Sequence, residues 1–143
     1  MHRAKPILNK FYEYMETLRV TNNYSILRGK LEIPKTYPCI VILMGADPSE
    51  LFNINTTRQK LSIFIDIYNS STSADLDGEI LDIRELVHNL IMNDAKHGFD
   101  YVFGTEFIGQ DAPDYVGAGQ DYAASTRLEF VVTYLSEINT QTI

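Results

Sequence analysis

Residues 60–69 alternate with a strict period of two, and no other stretch limits the fold as strongly. Leu61, Ile63, Ile65 and Ile67 fall at odd positions, with Ser62, Phe64, Asp66 and Tyr68 between them. Successive side chains of a strand point to opposite faces, so this pattern predicts a strand with one face committed to a core. Its even face has two readings. Phe64, Asp66 and Tyr68 form either a second packed face under a helix or an exposed surface that docks a partner through its aromatics.

Other segments supply partners for that strand. Residues 39–44 are continuously apolar, as in a strand covered on both faces. Residues 126–136 place Leu128, Phe130, Val132 and Tyr134 on one face. Residues 99–108 alternate with Phe99, Tyr101, Phe103, Thr105 and Phe107 on one face. Residues 24–33 read as an extended segment, Pro34 and Pro38 bracket a turn, and residues 45–58 read as a polar loop around Asp47-Pro48.

Two segments carry helical spacing. Ile7, Phe11, Tyr14 and Leu18 recur at i, i+4, i+7 and i+11, which predicts a helix over about residues 6–19 with Pro6 in its first turn. Ile80, Ile83, Val87, Leu90 and Ile91 form a second stripe, with Glu79 and Asp82 in the first turn, Asp77 as the expected N-cap and Gly98 closing the helical region. Helices and strands are grouped, not strictly alternating. The expected class is therefore α+β: a mostly antiparallel sheet of about five strands with two helices packed on it. The 143 residues contain no repeat or low-complexity tract, and 1–143 reads as a single domain.

Charge is distributed unevenly. Residues 1–60 hold nine Lys/Arg against five Asp/Glu (+4), and residues 61–143 hold three against fourteen (−11). A net charge of −7 disfavours sequence-specific or general nucleic-acid binding, which needs clustered cations on phosphates. No apolar stretch approaches 18 residues, so no membrane span is expected, and no apolar leader follows Met1. The chain reads as made in the cytoplasm. Cys39 is the single cysteine, within the apolar run, and reads as an inert buried thiol.

Residues 109–125 read as a 17-residue connection between two strands, long for a compact domain. They carry Asp111, Asp114 and Asp121 without a basic residue, and also Tyr115, Val116 and Tyr122, which a purely solvated loop does not need.

The chain offers little catalytic chemistry. Counting from Asp75, a calcium loop would need Gly at its sixth position and Glu at its twelfth, but Ile80 and Leu86 stand there. His88 and His97 lack zinc-ligand spacing, and no Gly-x-Ser-x-Gly elbow occurs. Gly117-Ala118-Gly119 is not followed by the Lys-Ser/Thr of a phosphate loop. No catalytic residue, cofactor or metal is expected. The candidates are interface residues: Arg58, Lys60, Phe64, Asp66, Tyr68, Asp111, Asp114, Tyr115, Asp121 and Tyr122. Arg58 and Lys60 are either solubilising charges or contacts to acidic groups.

Taken in order, the N-terminal amphipathic helix, Tyr37-Pro38-Cys39-Ile40-Val41-Ile42, the strand from Gln59 to Tyr68, the striped helix and the final Arg127-Leu128-Glu129-Phe130-Val131-Val132-Thr133-Tyr134 resemble one family in layout. This is the tail-terminator (tail-completion) family of long-tailed bacteriophages, similar to the lambda-type minor tail protein. The resemblance implies a non-enzymatic virion protein of the tail or neck. It would form a ring, typically a hexamer, that caps the tail tube and offers the head connector a surface for head–tail joining, with DNA free to pass through. Another neck or head-closure protein, or an unrelated protein-binding adaptor, is the alternative reading.

Overall fold

A computed structural model describes residues 3–29, 36–71, 75–118 and 121–137, with the side chains of 71, 116–118 and 121–122 left aside. The first element, α1 (Ala4–Asn22), buries Ile7, Phe11, Met15 and Leu18. Met15 takes the place in the stripe that spacing assigned to Tyr14. Tyr14 lies at the edge of the stripe, where its hydroxyl can reach a polar partner. The helix stops where Asn23 turns left-handed (φ 59°) and Tyr24 N–H donates back to the Leu18 carbonyl at 3.3 Å. Asparagine tolerates that conformation better than residues whose side chain cannot hydrogen-bond locally. Asn23→Ala is expected to cost about 1 kcal/mol and Asn23→Gly close to nothing, as read by urea denaturation.

The chain then forms β1 (Ser25–Arg28), β2 (Cys39–Met44), β3 (Ser49–Asn53), β4 (Thr56–Ser71), α2 (Leu76–Met92), β5 (Val102–Gln110), β6 (Asp114–Ala118) and β7 (Asp121–Glu137). The strands form one sheet of seven, ordered β1-β2-β4-β7-β5, with β3 also paired to β4 and β6 to β7. β1 runs parallel to β2 and every other pair is antiparallel. The α+β class stands, with a mixed sheet and two strands more than expected.

The extra strands come from the two segments read as loops. Residues 45–58 fold back as β3, which pairs with the start of β4 around a tight turn at Ile54-Asn55. Residues 114–118 fold as β6 against β7, leaving only 111–113 as a connection between β5 and β6. Strand pairing satisfies the backbone of the Asp-rich stretch, so its composition did not prevent sheet formation. Part of the extended segment expected at 24–33 lies outside the described residues, as do His2 and Gly119.

β4 and β7 are the long central ribbon. Leu61, Ile63 and Ile65 stand beside Val132, Phe130 and Leu128, so the buried faces of the two strands coincide pair by pair. Both helices cover this face. Ile7, Phe11, Met15 and Leu18 of α1 and Ile83, Val87 and Ile91 of α2 join these strand residues in one cluster. Full burial of each such side chain contributes about 1.5–3 kcal/mol, which makes this layer the main source of stability. α2 begins two residues earlier than expected: its N-cap position is Asp75, not Asp77. The face expected over 99–108 is also interrupted. Phe99 and Tyr101 stack in the turn before β5, with ring centroids 5.2 Å apart, and a register shift at Phe103 turns that ring outward.

Candidate interaction surface

The odd residues of β4 face the helices, so its even residues line the opposite face, which no helix covers among the described residues. Neither reading of Phe64, Asp66 and Tyr68 holds in full: no described helix covers them, yet Asp66 and its β2 neighbour Val41 are buried and Phe64 and Tyr68 are half-buried. Asp66 pairs in register with Arg127 of β7. The Arg127 Nε donates to Asp66 Oδ1 at 2.7 Å and one terminal nitrogen donates to Oδ2 at 3.0 Å. Its guanidinium lies 4.6 Å from the centre of the Phe64 ring. That ring rests against Gly45, where an added Cβ would sit 2.6 Å from it, so only glycine admits the ring there. The hydrogen bond from Arg127 to Asp66 holds the guanidinium pKa above its ordinary value. Burial pushes the Tyr68 hydroxyl up, helped by the Asp66 charge.

These residues form one wall of a cleft of about 290 Å³ that is also lined by Asp111, Ala112, Asp114, Ser125 and Thr126. Thr126 donates to the Asp111 carbonyl at 2.7 Å and Asp111 N–H donates to the Arg127 carbonyl at 2.9 Å, pinning the 111–113 connection to β7. Three carboxylates thus face a single arginine. On the other, helix-side face of β6, Tyr115 donates a hydrogen bond to the Asp77 carboxylate in the first turn of α2. That bond is the main reason its phenol pKa is raised.

Of the ten residues expected from sequence, Asp66, Tyr68, Asp111 and Asp114 share this cleft. Phe64 supports it through Arg127, and Tyr115 lies exposed on the neighbouring strand. Asp121 and Tyr122 begin β7, and their side chains lie outside the described ones. Arg58 and Lys60 belong elsewhere. They sit on the same open face of β4 but at its other end, about 20 Å away for six residues of strand. There Arg58 pairs with Glu50 across the β3–β4 hairpin.

That far end holds what sequence reasoning missed. All five residues of β3 are exposed. Leu51 is 72% exposed, Ile54 87%, and Phe52 and Phe103 49% each. Phe52 and Phe103 meet edge-to-face with ring centroids 6.0 Å apart. Each is the additional residue at a register shift, in β3 and β5 respectively, so a bulge aims each ring outward. A signal existed: Leu51, Phe52 and Ile54 are large apolar residues inside an otherwise polar stretch. Nearby, Gln59 and Tyr134 both donate to Asp47 Oδ2, at 2.9 and 2.7 Å. Burial, then this carboxylate, raises the Tyr134 pKa strongly.

No group of three His, Cys, Asp or Glu side chains is placed to hold a metal among the described residues. Within them, no helix is long and apolar enough to cross a membrane. The arrangement defines a two-layer α+β protein with one sheet face covered by both helices and, among the described residues, no helix on the other. No protein-family model and no curated protein matches the chain. Its fold does match a solved structure, a chain in the virion of a native gene transfer agent particle. The match has a TM-score of 0.57 at 7% identity and spans 90% of this chain and 94% of that one.

Proposed function

We propose that this chain is a non-enzymatic structural subunit of a tailed, phage-like particle, and that within it the chain is the tail terminator. The observation that carries the reading is the fold match to a virion chain over nearly the full length of both proteins. The layout resemblance of the sequence supports the narrower role. In that role, copies of the chain close into a ring, typically of six, on the end of the tail tube. One rim of the ring contacts the tube protein and the other the head connector, and DNA passes through without sequence-specific contact. A subunit with an acidic cleft in one place and an exposed apolar hairpin in another suits such repeated contact, because a closed ring needs two different patches on each subunit.

Removing the gene from a producing strain tests this. The expected result, seen by negative-stain microscopy, is filled heads and separate tails that fail to join, with joining restored by adding the purified chain. Intact particles of normal form made without it would overturn the reading. Gold label on the restored particles is expected at the head-proximal end of the tail tube. Label confined to the head portal would instead favour a head-closure protein, which the same fold match accommodates.

A further inference from the structure

A separate concavity of about 400 Å³ lies where the first turn of α1 meets the ends of β1 and β2. Lys5 and Arg28 stand exposed at it, beside Met44, which is 60% exposed. Arg3 also lines it but serves the Leu135 carbonyl and Glu137. Arg28 donates to the neutral Asn9 amide oxygen and Lys5 makes no ion pair, so neither cation meets a carboxylate among the described residues. Asp47 lines the concavity too. Its Oδ2 accepts from Gln59 and Tyr134 and its Oδ1 is buried, so this carboxylate is turned inward and the open rim is cationic.

The solvent side of α2 carries the complementary groups. Asp82 and Glu85 stand three residues apart and so adjoin on the helix surface, flanked by Leu81 (51% exposed) and Leu86 (36%). Neither carboxylate makes an ion pair among the described residues. The arginine of this helix, Arg84, is turned to the sheet, to Gln110 and the Phe107 ring. The outer face of α1 offers no such surface, because Lys10 pairs with Glu13 and Arg19 with Glu16. Concavity and ridge cannot meet within one molecule. Asp82 is close enough to Tyr24, just past the end of α1, to act on its hydroxyl, whereas Lys5 lies in the first turn, roughly 25 Å away along the helix.

We propose that the occupant of the cationic concavity is the α2 ridge of a second copy of this chain. Asp82 and Glu85 of one copy meet Lys5 and Arg28 of the next, and Leu81 and Leu86 exclude water against Met44. Charge and shape together select this occupant. Unpaired carboxylates complement unpaired cations, and a helix ridge is convex, as a concavity requires. The Asp111–Asp114 cleft is acidic as well, but it is itself concave and cannot enter. The contact is head-to-tail, because ridge and concavity are different patches on each molecule. It rests on the ring reading above and names the surfaces that the ring would use.

The test reverses the charges in full-length chain. One variant carries Lys5→Glu with Arg28→Glu, a second carries Asp82→Lys with Glu85→Lys, and a third carries all four changes. All four positions are exposed, and circular dichroism checks that each variant folds. Sedimentation velocity reads association in solution, and negative-stain microscopy on purified tail tubes reads it if wild type associates only there. Wild type is expected to form oligomers larger than a dimer, weakened as salt screens the charges. The first and second variants alone should associate about tenfold or more weakly, because like charges then face each other. Their equimolar mixture should regain oligomers larger than a dimer, since acidic concavity meets basic ridge and basic concavity meets acidic ridge in alternation. The fourfold variant should regain them alone. A first or second variant that associates as wild type does would overturn the contact and leave the ring reading intact. Weak variants that neither mixing nor the fourfold change restores would also overturn the contact. Wild type that stops at a dimer, with rescue on mixing, would support the contact and overturn the ring. Wild type that stays monomeric at high concentration, alone and on tail tubes, would overturn both.

Discussion

Arg127→Ala is expected to lower the unfolding free energy by about 2 kcal/mol, because it strands the buried Asp66 carboxylate, with the full cost of a buried pair reduced by the 39% exposure of the arginine. Two features make the loss large for a pair on an open sheet face. Asp66 is almost fully buried, and it receives both hydrogen bonds from the one guanidinium. Removing the arginine also leaves the Phe64 ring without the group stacked over it. The loss should appear in urea denaturation as a lower midpoint at unchanged slope. Replacing both partners at once, Asp66→Val with Arg127→Leu, is expected to recover most of the loss, since no charge is left buried. A single variant within about 0.5 kcal/mol of wild type, the ordinary range for surface changes, would show that solvent already screens the pair.

The second large effect concerns pH. His97 is buried, and its Nδ1 lies 2.9 Å from the Tyr14 hydroxyl while Nε2 lies 2.5 Å from Thr105 Oγ1. Thr105 donates its own proton to the Ala95 carbonyl at 2.8 Å. The imidazole must therefore donate from Nε2, and Nδ1 accepts from Tyr14. Adding a proton at Nδ1 sets two donors against each other and places a charge beside the Phe11 ring, 5.1 Å away. Burial, the largest cause, holds the His97 pKa down from 6.5 to about 4; Asp94 opposes this and Lys10 reinforces it.

The folded state thus binds this proton less readily than the unfolded chain. The stabilisation is complete above pH 6.5, declines as pH falls through the interval down to about 4, and changes no further below that. The 2.5-unit interval corresponds to roughly 3 kcal/mol. Carboxylates also titrate nearby, so the difference between wild type and His97→Asn isolates the histidine; asparagine is chosen because it tolerates the φ of 56° at this position. Wild type should be the more stable at pH 7, and its advantage should shrink by roughly 3 kcal/mol by pH 4. A constant advantage across that range would mean that His97 takes up its proton freely in the folded state.

Much of the core was legible in the chain. The odd face of β4, the even face of β7, the apolar β2 and the α2 stripe all followed from periodicity, because each element buries one face and hydrophobic spacing records which one. The open-face residues were legible too, but only as a face. Phe64, Asp66 and Tyr68 could be placed together on one strand, while the partner that organises them, Arg127, lies 61 positions away from Asp66. Strand spacing carries no register, so nothing in the chain aligned Arg127 with Asp66. Asp111 and Asp114 were singled out for the length and composition of their segment. That segment proved to be the rim of a cleft and a sixth strand, because β7 is long enough to pair with both β5 and β6.

By itself, then, the sequence determined the apolar faces of β2, β4, β7 and α2, how many helices form and how charge divides along the chain. Burial and periodicity are local properties that each element carries alone. The tertiary structure decided the rest: two additional strands, the bulges that turn Phe52 and Phe103 outward, and the Asp66–Arg127 pairing. These depend on register and on which strands become neighbours, and both are set by the collective packing of residues far apart in the chain.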